Sequence, residues 1–307
     1  MAIPRDVLDY VAEHRLTGRS GLQSNARTLA VIGIYAGISF TCFALSSPVA
    51  WVIGWLIQAL ILAGAYSAMH EAAHNNLYES RSVNRIAGFF WGMSILINFS
   101  LYRAFHLQHH AYTRVKGDPE PQNEFASLSQ YIFGMPFVGF AYVGGLWSTS
   151  LLAVTGRAPW YARTEMRKRD IRLDGVLFLI ANLAVIGALA VWPMLVLKTW
   201  LAPLLITYAS FVSMTALPEH YLCERDADVF HTTRSVTSNA PFRFLYWNNN
   251  YHAAHHLYPG VPYQNVPALH RLVADRTIYL SPSYLSVHLD VIRSFRQGEK
   301  PAVDKAA

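Results

Sequence analysis

Four apolar runs, each long enough to cross a bilayer as a helix, leave this chain few architectures. They occupy 28–46, 49–69, 174–196 and 199–217. A helical crossing of the hydrocarbon core takes about 20 mostly apolar residues. Ser46-Ser47-Pro48 separates the first pair and Leu197-Lys198 joins the second. Two close pairs with short connections predict two helical hairpins. Composition agrees: 53% of residues are hydrophobic and 14% charged, against about 25% charged in soluble domains. Such a chain cannot cover itself with polar surface and needs lipid or a partner.

Basic residues set the expected orientation, because Lys and Arg near span ends favour the cytoplasm. Arg5, Arg15, Arg19 and Arg27 precede the first run. Arg157, Arg163, Arg167, Lys168, Arg169 and Arg172 precede the third, whereas the two hairpin turns hold only Lys198. Both hairpins are therefore expected to open to the cytoplasm, with both termini there. The polar N-terminus lacks a signal-peptide pattern, so the first run reads as a permanent span. Two further apolar stretches, 86–101 and 131–153, are expected to be in-plane or re-entrant helices, the second interrupted by Pro136, Gly144 and Gly145. The predicted fold is all-α and integral to the membrane: four transmembrane helices in two hairpins, interfacial helices and a cytoplasmic histidine-rich cap. The expected divisions are an N-terminal segment 1–27, a membrane domain 28–275 and a C-terminal tail 276–307.

Eight of the thirteen histidines fall in three tight clusters: His70 and His74; His106, His109 and His110; His252, His255 and His256. Residues three and four apart share one helix face, so each cluster presents two or three imidazoles in one direction. The first cluster follows the inner end of the second span, and His220 follows the inner end of the fourth. All nine can reach one cytoplasmic layer. Imidazole suits iron, zinc, copper and nickel, and nine ligands are too many for one ion and about right for two. His14, His231, His270 and His288 stand alone and read as surface or structural residues. Cys42 and Cys223 lack a CxxC partner, which removes support for iron–sulfur, zinc-thiolate and disulfide readings.

Other metal chemistries account for less. His70-Glu71-Ala72-Ala73-His74 alone is the zinc-protease pattern, two ligands with a glutamate base between them. It leaves six clustered histidines unexplained. Histidine-rich loops of transporters are usually low in complexity and flexible, unlike these compact clusters. Many packed imidazoles without metal would be poorly solvated and mutually repulsive when protonated.

The three boxes, HxxxH, HxxHH and HxxHH in that order, resemble the membrane fatty acid desaturase superfamily, which includes hydroxylases and ketolases. "HLQHHAYTRVKGDPE" is similar to the second box with its run to Asp-Pro, and "NNYHAAHHLYPGVPYQNVPALH" to the third box and its tail. The resemblance covers about residues 28–275. It implies a non-haem di-iron centre held by the eight box histidines and His220, with O2 as co-substrate and hydrogen abstraction from an unactivated C–H bond. Glu71, Asp118 and Glu219 are candidates to orient the imidazoles. One departure concerns the position four residues before His220, where some acyl-CoA desaturases carry asparagine and this chain has Ala216.

The expected function is an oxygen-dependent di-iron desaturase acting on a fatty acyl chain or lipid. The alternatives are a di-iron hydroxylase of a lipid or small apolar substrate, or a membrane zinc metalloprotease. No cysteine quartet, dinucleotide-binding glycine pattern or fused haem domain is evident, which implies a separate donor: ferredoxin, a rubredoxin-like protein or a cytochrome. The net charge of +6 would attract an acidic donor, although cytoplasmic positive charge and anionic lipid account for it equally. Nothing indicates nucleic-acid binding. The expected location is the bacterial inner membrane.

Overall fold

The computed structural model describes residues 3–121, 123–225 and 228–298; the rest of the expected C-terminal tail lies outside the described residues. Helix dominates. A short amphipathic helix α1 (Arg5–Glu13) buries Val7 and Val11. Then come α2 (Gly21–Leu45), α3 (Pro48–Ala73), α4 (Arg81–Ser94), α5 (Phe99–Tyr112), α6 (Leu128–Val154), α7 (Glu165–Val191) and α8 (Pro193–His220). Short helices and one parallel pair, Ser235–Val236 with Leu280–Ser281, complete the C-terminal part.

Side-chain oxygens define where helices begin. Ser20, Ser80, Asn98, Ser127 and Thr164 each accept the amide three residues on, which satisfies one of the otherwise unpaired donors of a first turn. Pro48 and Pro193 occupy the first turns of α3 and α8, where a missing N–H does no harm. α3 is the central helix. Ala59, Ala63, Ala65, Ala68, Ala72 and Ala73 are all buried on it, and their small side chains let α2, α4, α5 and α8 approach closely. Elsewhere the large apolar side chains face outward: Phe40, Phe133, Phe137, Ile180, Leu183 and Ile186 are all exposed, as lipid-facing residues are.

α2 packs on α3 as the first expected pair, whereas α7 and α8 meet around a sharp turn and α6 packs against both. The second hairpin turns at Trp192-Pro193 and not at Leu197-Lys198. Pro193 removes an N–H and pushes Trp192 out of the helical region, to φ −129° and ψ 59°. Lys198 lies inside α8, its ammonium 5.2 Å from the Trp51 ring centroid. Its carbonyl accepts Trp55 Nε1 at 2.7 Å, which ties the far ends of α3 and α8.

The central segment departs further from expectation. The apolar stretch 86–101 is split at Ile95–Asn98 into α4 and α5, with Leu96 at φ 55°. Non-helical backbone at membrane depth is tolerated only where protein covers it. Here Trp200 Nε1 donates to the Ser94 carbonyl at 2.8 Å and the Tyr208 hydroxyl donates to that of Ile95. The stretch 131–153 is not interrupted. α6 runs unbroken through Pro136, Gly144 and Gly145, and Ser148 and Thr149 hydroxyls both donate to the Gly145 carbonyl. Five helices, α2, α3, α6, α7 and α8, are thus long and apolar enough to cross a membrane, against the four expected.

Arg85 clamps this segment to α7, donating to Asp174 at 2.9 Å, while Asp174 also accepts the Ser100 amide at 3.1 Å. Two glycines mark close approaches. A Cβ on Gly139 would lie 2.2 Å from the Tyr208 carbonyl oxygen, and one on Gly64 would lie 1.9 Å from that of Leu245. The second contact seats the segment that leads into the third histidine cluster. We expect Gly64→Ala to lower stability by about 1–3 kcal/mol through overpacking, read as a drop of several degrees in the unfolding midpoint. Gly187→Ala, whose Cβ would meet nothing within 4 Å, should leave the midpoint unchanged or raise it.

Candidate metal centre

The nine histidines come from four elements that end at one level. His70 lies in the last turn of α3 and His74 caps it. His106, His109 and His110 occupy the last two turns of α5, on one helix face as their spacing predicts, and His220 ends α8. His252, His255 and His256 lie on the short helix His252–Leu257. That helix follows a tight turn in which Trp247 and Asn248 adopt φ 53° and 55°. A bulky residue there is unusual; the turn buries the Trp247 ring against Tyr263 and aims Asn249 and the third cluster inward.

The imidazoles form two groups. Ligand nitrogens of His70, His74, His106, His110 and His255 all lie within 4.8 Å of one another. Nε2 of His106 is 2.9 Å from those of His74 and His110, and the latter is 3.2 Å from that of His255. His109, His220 and His256 form the second group. His252 joins it, its Nε2 3.1 Å from Nε2 of His256.

Burial, then mutual repulsion among neighbouring imidazoles, pushes His106, His110, His252, His255 and His256 well below the ordinary histidine range. Burial followed by the charge of Arg103 pushes His74 down to about 3. All six are neutral at pH 7 and can offer lone pairs. A neutral imidazole has one N–H and one lone pair. A run of Nε2 atoms meeting only one another therefore leaves lone pairs unmatched. Both ring nitrogens of His70 are buried without a hydrogen-bond partner. A shared cation resolves this, and an all-nitrogen set suits iron or another first-row transition metal. The residues fit a pair of metal ions.

The second group is better supported from behind. His109 Nδ1 lies 3.0 Å from both Asp118 Oδ1 and Glu120 Oε2. Burial opposes charge on His109, but the two carboxylates outweigh it and raise its pKa to about 10. Burial pushes Glu120 up, but His109, His220 and Arg114 together push it further down, to about 2. The carboxylates thus hold a proton on Nδ1 and leave Nε2 facing His220 at 3.2 Å. His220 Nδ1 donates to the Thr232 carbonyl at 2.9 Å. The Thr113 hydroxyl spends its proton on the His109 carbonyl, so it accepts from His256 Nδ1 at 3.3 Å. In the first group Nδ1 of His70, His110 and His255 has no partner.

Of the three carboxylates expected behind the histidines, Asp118 touches one as expected. Glu219 lies 3.4 Å from His252 Nε2 and also accepts Asn249 Nδ2 at 3.2 Å. Glu71 does not orient an imidazole: its nearest approach to His70 is 3.9 Å, and it accepts the Tyr263 amide at 2.8 Å. It anchors the segment after the third cluster and is not aimed as a protease base would be. Glu120, two residues beyond Asp118, was not among the expected site residues, and Asn249, just before the third cluster, carried no expected role. The four solitary histidines have local roles: His14 stacks on Tyr10, His231 pairs with Glu224, His270 stacks on Tyr251, and His288 bridges Tyr131 and the Met214 carbonyl.

A small chamber lies between the groups, bordered by His70, His109, His220, His252 and Asn249, whose Oδ1 is buried and unpartnered. A cleft of about 140 Å³ opens beside it between Val138, Ala141 and Tyr142 of α6 and Val212, Ala216 and Leu217 of α8. Tyr66, Glu120 and His220 border both spaces. Ala216 keeps the cleft wall apolar, and the carboxamide in the chamber comes from Asn249.

The model of the fatty acid desaturase family matches residues 46–287. This chain belongs to the fatty acid desaturase family. Among curated relatives, this desaturase is 24% identical over 258 residues to the sn-1 oleoyl-lipid 12-desaturase of Picosynechococcus sp., covering 77% of this chain and 71% of the relative. It is 27% identical over 262 residues to the dihydrorhizobitoxine desaturase of Bradyrhizobium elkanii, covering 75% and 71%. It is 24% identical over 234 residues to a sphingolipid delta(4)-desaturase of Drosophila melanogaster, covering 72% and 67%. Family and long apolar helices together make this desaturase an integral membrane protein. Partners behind a metal ligand typically carry 10- to 100-fold in metal affinity. Asp118→Asn combined with Glu120→Gln should therefore weaken metal binding by about that factor, read by chelator competition, while Glu71→Gln should leave metal affinity within about twofold.

Proposed function

We propose that this chain inserts a double bond into the acyl chain of a fatty acid or membrane lipid. Two substrate hydrogens, two electrons from a separate carrier protein and two protons reduce O2 to two waters. The observation that carries this reading is the meeting of nine imidazoles, in groups of five and four, beside an apolar cleft in a fatty acid desaturase. A bound iron pair supplies reductive activation of O2 and hydrogen abstraction from unactivated C–H bonds. The protein orients the ligands, keeps bulk water from the chamber and sets which carbons arrive there. His70, His74, His106, His110 and His255 would hold one iron, and His109, His220, His252 and His256 the other. The cleft between α6 and α8 leads the chain past Tyr66 and Glu120 toward the metals.

We read the topology as four crossings, with both hairpins and both described ends on the cytoplasmic side. α6 supports this: at its start Tyr131 stacks on Tyr221, just beyond His220. Beyond its end Tyr161 packs on Phe105 and Arg163 lies over the Tyr112 ring. The chain on both sides of α6 thus reaches the histidine layer, which supports reading α6 as a helix that does not change sides. An impermeant maleimide should label Gly156→Cys only from the cytoplasmic face and Ser46→Cys only from the opposite one.

Chemical function is tested by lipid profiling in a lipid-producing host. Wild type should yield acyl products lighter by two hydrogens, and His109→Ala should abolish them at comparable protein level. Products heavier by one oxygen would instead mean hydroxylation.

A further inference from the structure

A second cavity lies away from the histidine chamber, against the first span. It encloses about 390 Å³ between Arg27 and Ala30 of α2 and Phe244, Asn248 and Gln264. Its charge is unusual. The Arg27 guanidinium carbon lies 4.8 Å from the Phe244 ring centroid, 5.4 Å from Trp247 and 4.6 Å from Tyr263. Three aromatic faces hold the cation in place but provide no anion. Nη1 of Arg27 is buried with no hydrogen-bond partner. Among the described residues no carboxylate pairs with it; Glu71, the acid that acts on it through space, is engaged by the Tyr263 amide. Gln264 Oε1 is also buried and unpartnered. A charge taken from water requires a counter-charge, and the described residues supply none at contact.

The surface below the cavity indicates where that counter-charge comes from. Ala26 and Ala30 are exposed, and a Cβ on Gly33 or Gly37 would meet nothing within 4 Å. Positions 26, 30, 33 and 37 share one helix face and make an open furrow about 16 Å long. Leu22 and Leu29 beside it are 81% and 70% exposed, as befits contact with acyl chains. The furrow begins at the arginine and runs toward the membrane centre.

We propose that this is a binding site for an anionic phospholipid of the leaflet on the histidine side, its phosphodiester against Arg27 and one acyl chain along the Ala26–Gly37 furrow. Gln264 Oε1 is free to accept a headgroup hydroxyl. Because Tyr263 lines the cavity and Arg27 packs on Trp247, residues that flank Asn249 and the anchor of Glu71, an occupied site stiffens the segment carrying the third histidine cluster. The proposal rests on the membrane setting and not on the reaction, so it stands or falls independently of desaturation.

The test uses the full chain in neutral detergent, with dioleoylphosphatidylglycerol, dioleoylphosphatidylcholine or inorganic phosphate added. Native mass spectrometry reads bound lipid and thermal unfolding reads protection. Wild type should retain phosphatidylglycerol and be protected by it about tenfold more tightly than Arg27→Gln, with phosphatidylcholine weaker. Ala30→Leu, which fills the furrow from an exposed position and leaves the arginine intact, should lose chain binding and most of the protection. Equal retention of phosphatidylglycerol by wild type and both variants would overturn the site, as would no retention by wild type. Protection by inorganic phosphate equal to that by phosphatidylglycerol would make it a free-phosphate site and overturn the lipid assignment.

Discussion

Nine imidazoles brought into one buried layer are the constraint on which the rest of this protein depends. Neutral rings facing one another through Nε2, with distances of 2.9–3.2 Å, leave lone pairs that the ring N–H groups cannot all satisfy. Protonating them would place several like charges within a few ångströms in a buried volume. Metal ions remove both problems, so metal binding and folding of this layer are coupled. The surrounding fold delivers those rings from four directions to one depth.

Lipid makes that delivery possible. Helix rotations in a hydrocarbon phase are held by small-residue contacts and by a few interhelical hydrogen bonds. The alanine face of α3, Gly64 under Leu245 and Gly139 under Tyr208 set the spacings. Trp55, Trp200 and Tyr208 cap carbonyls of neighbouring elements. The broken helix pair α4 and α5 carries the second cluster to the level of the first. The two groups are not equivalent. Asp118, Glu120, Thr113 and Thr232 fix Nδ1 protons on His109, His256 and His220, so that in the group of four only His252 Nδ1 lacks a partner, against three Nδ1 atoms in the group of five. The pinned group offers oriented, more basic ligands, so two bound ions would experience different fields.

Much of this was legible from residue order. Apolar runs of bilayer length and basic residues at their ends outlined the two hairpins, and spacings of three and four put each histidine cluster on one helix face. The misread points have specific causes. Pro193 was outweighed by Lys198 as the turn signal, although a proline's effect on the preceding residue is local and strong, while a lysine can fold back onto Trp51. Pro136 and the adjacent Gly144 and Gly145 were counted as breakers, as they would be in water; in an apolar helix, serine and threonine hydroxyls compensate. Asn98 is a strong helix-starting residue hidden within an apolar run. The division of the histidines into five and four depends on how α3, α5, α8 and the His252–Leu257 helix pack, which no local spacing encodes. Glu71 was favoured by adjacency in sequence, but a residue next to His70 on a helix points about 100° away from it. Glu120 and Asn249 reach the centre because turns, not helix faces, aim them.

The central claim is that the two groups hold two unlike iron ions in a nitrogen-rich setting. Mössbauer spectroscopy on chain purified anaerobically from cells grown on iron-57, with metal content measured on the same sample, tests it most directly. The account predicts two irons per chain and two distinguishable high-spin ferrous doublets with no sulfur-ligated component. A single iron per chain, or stoichiometric zinc without iron, would contradict it.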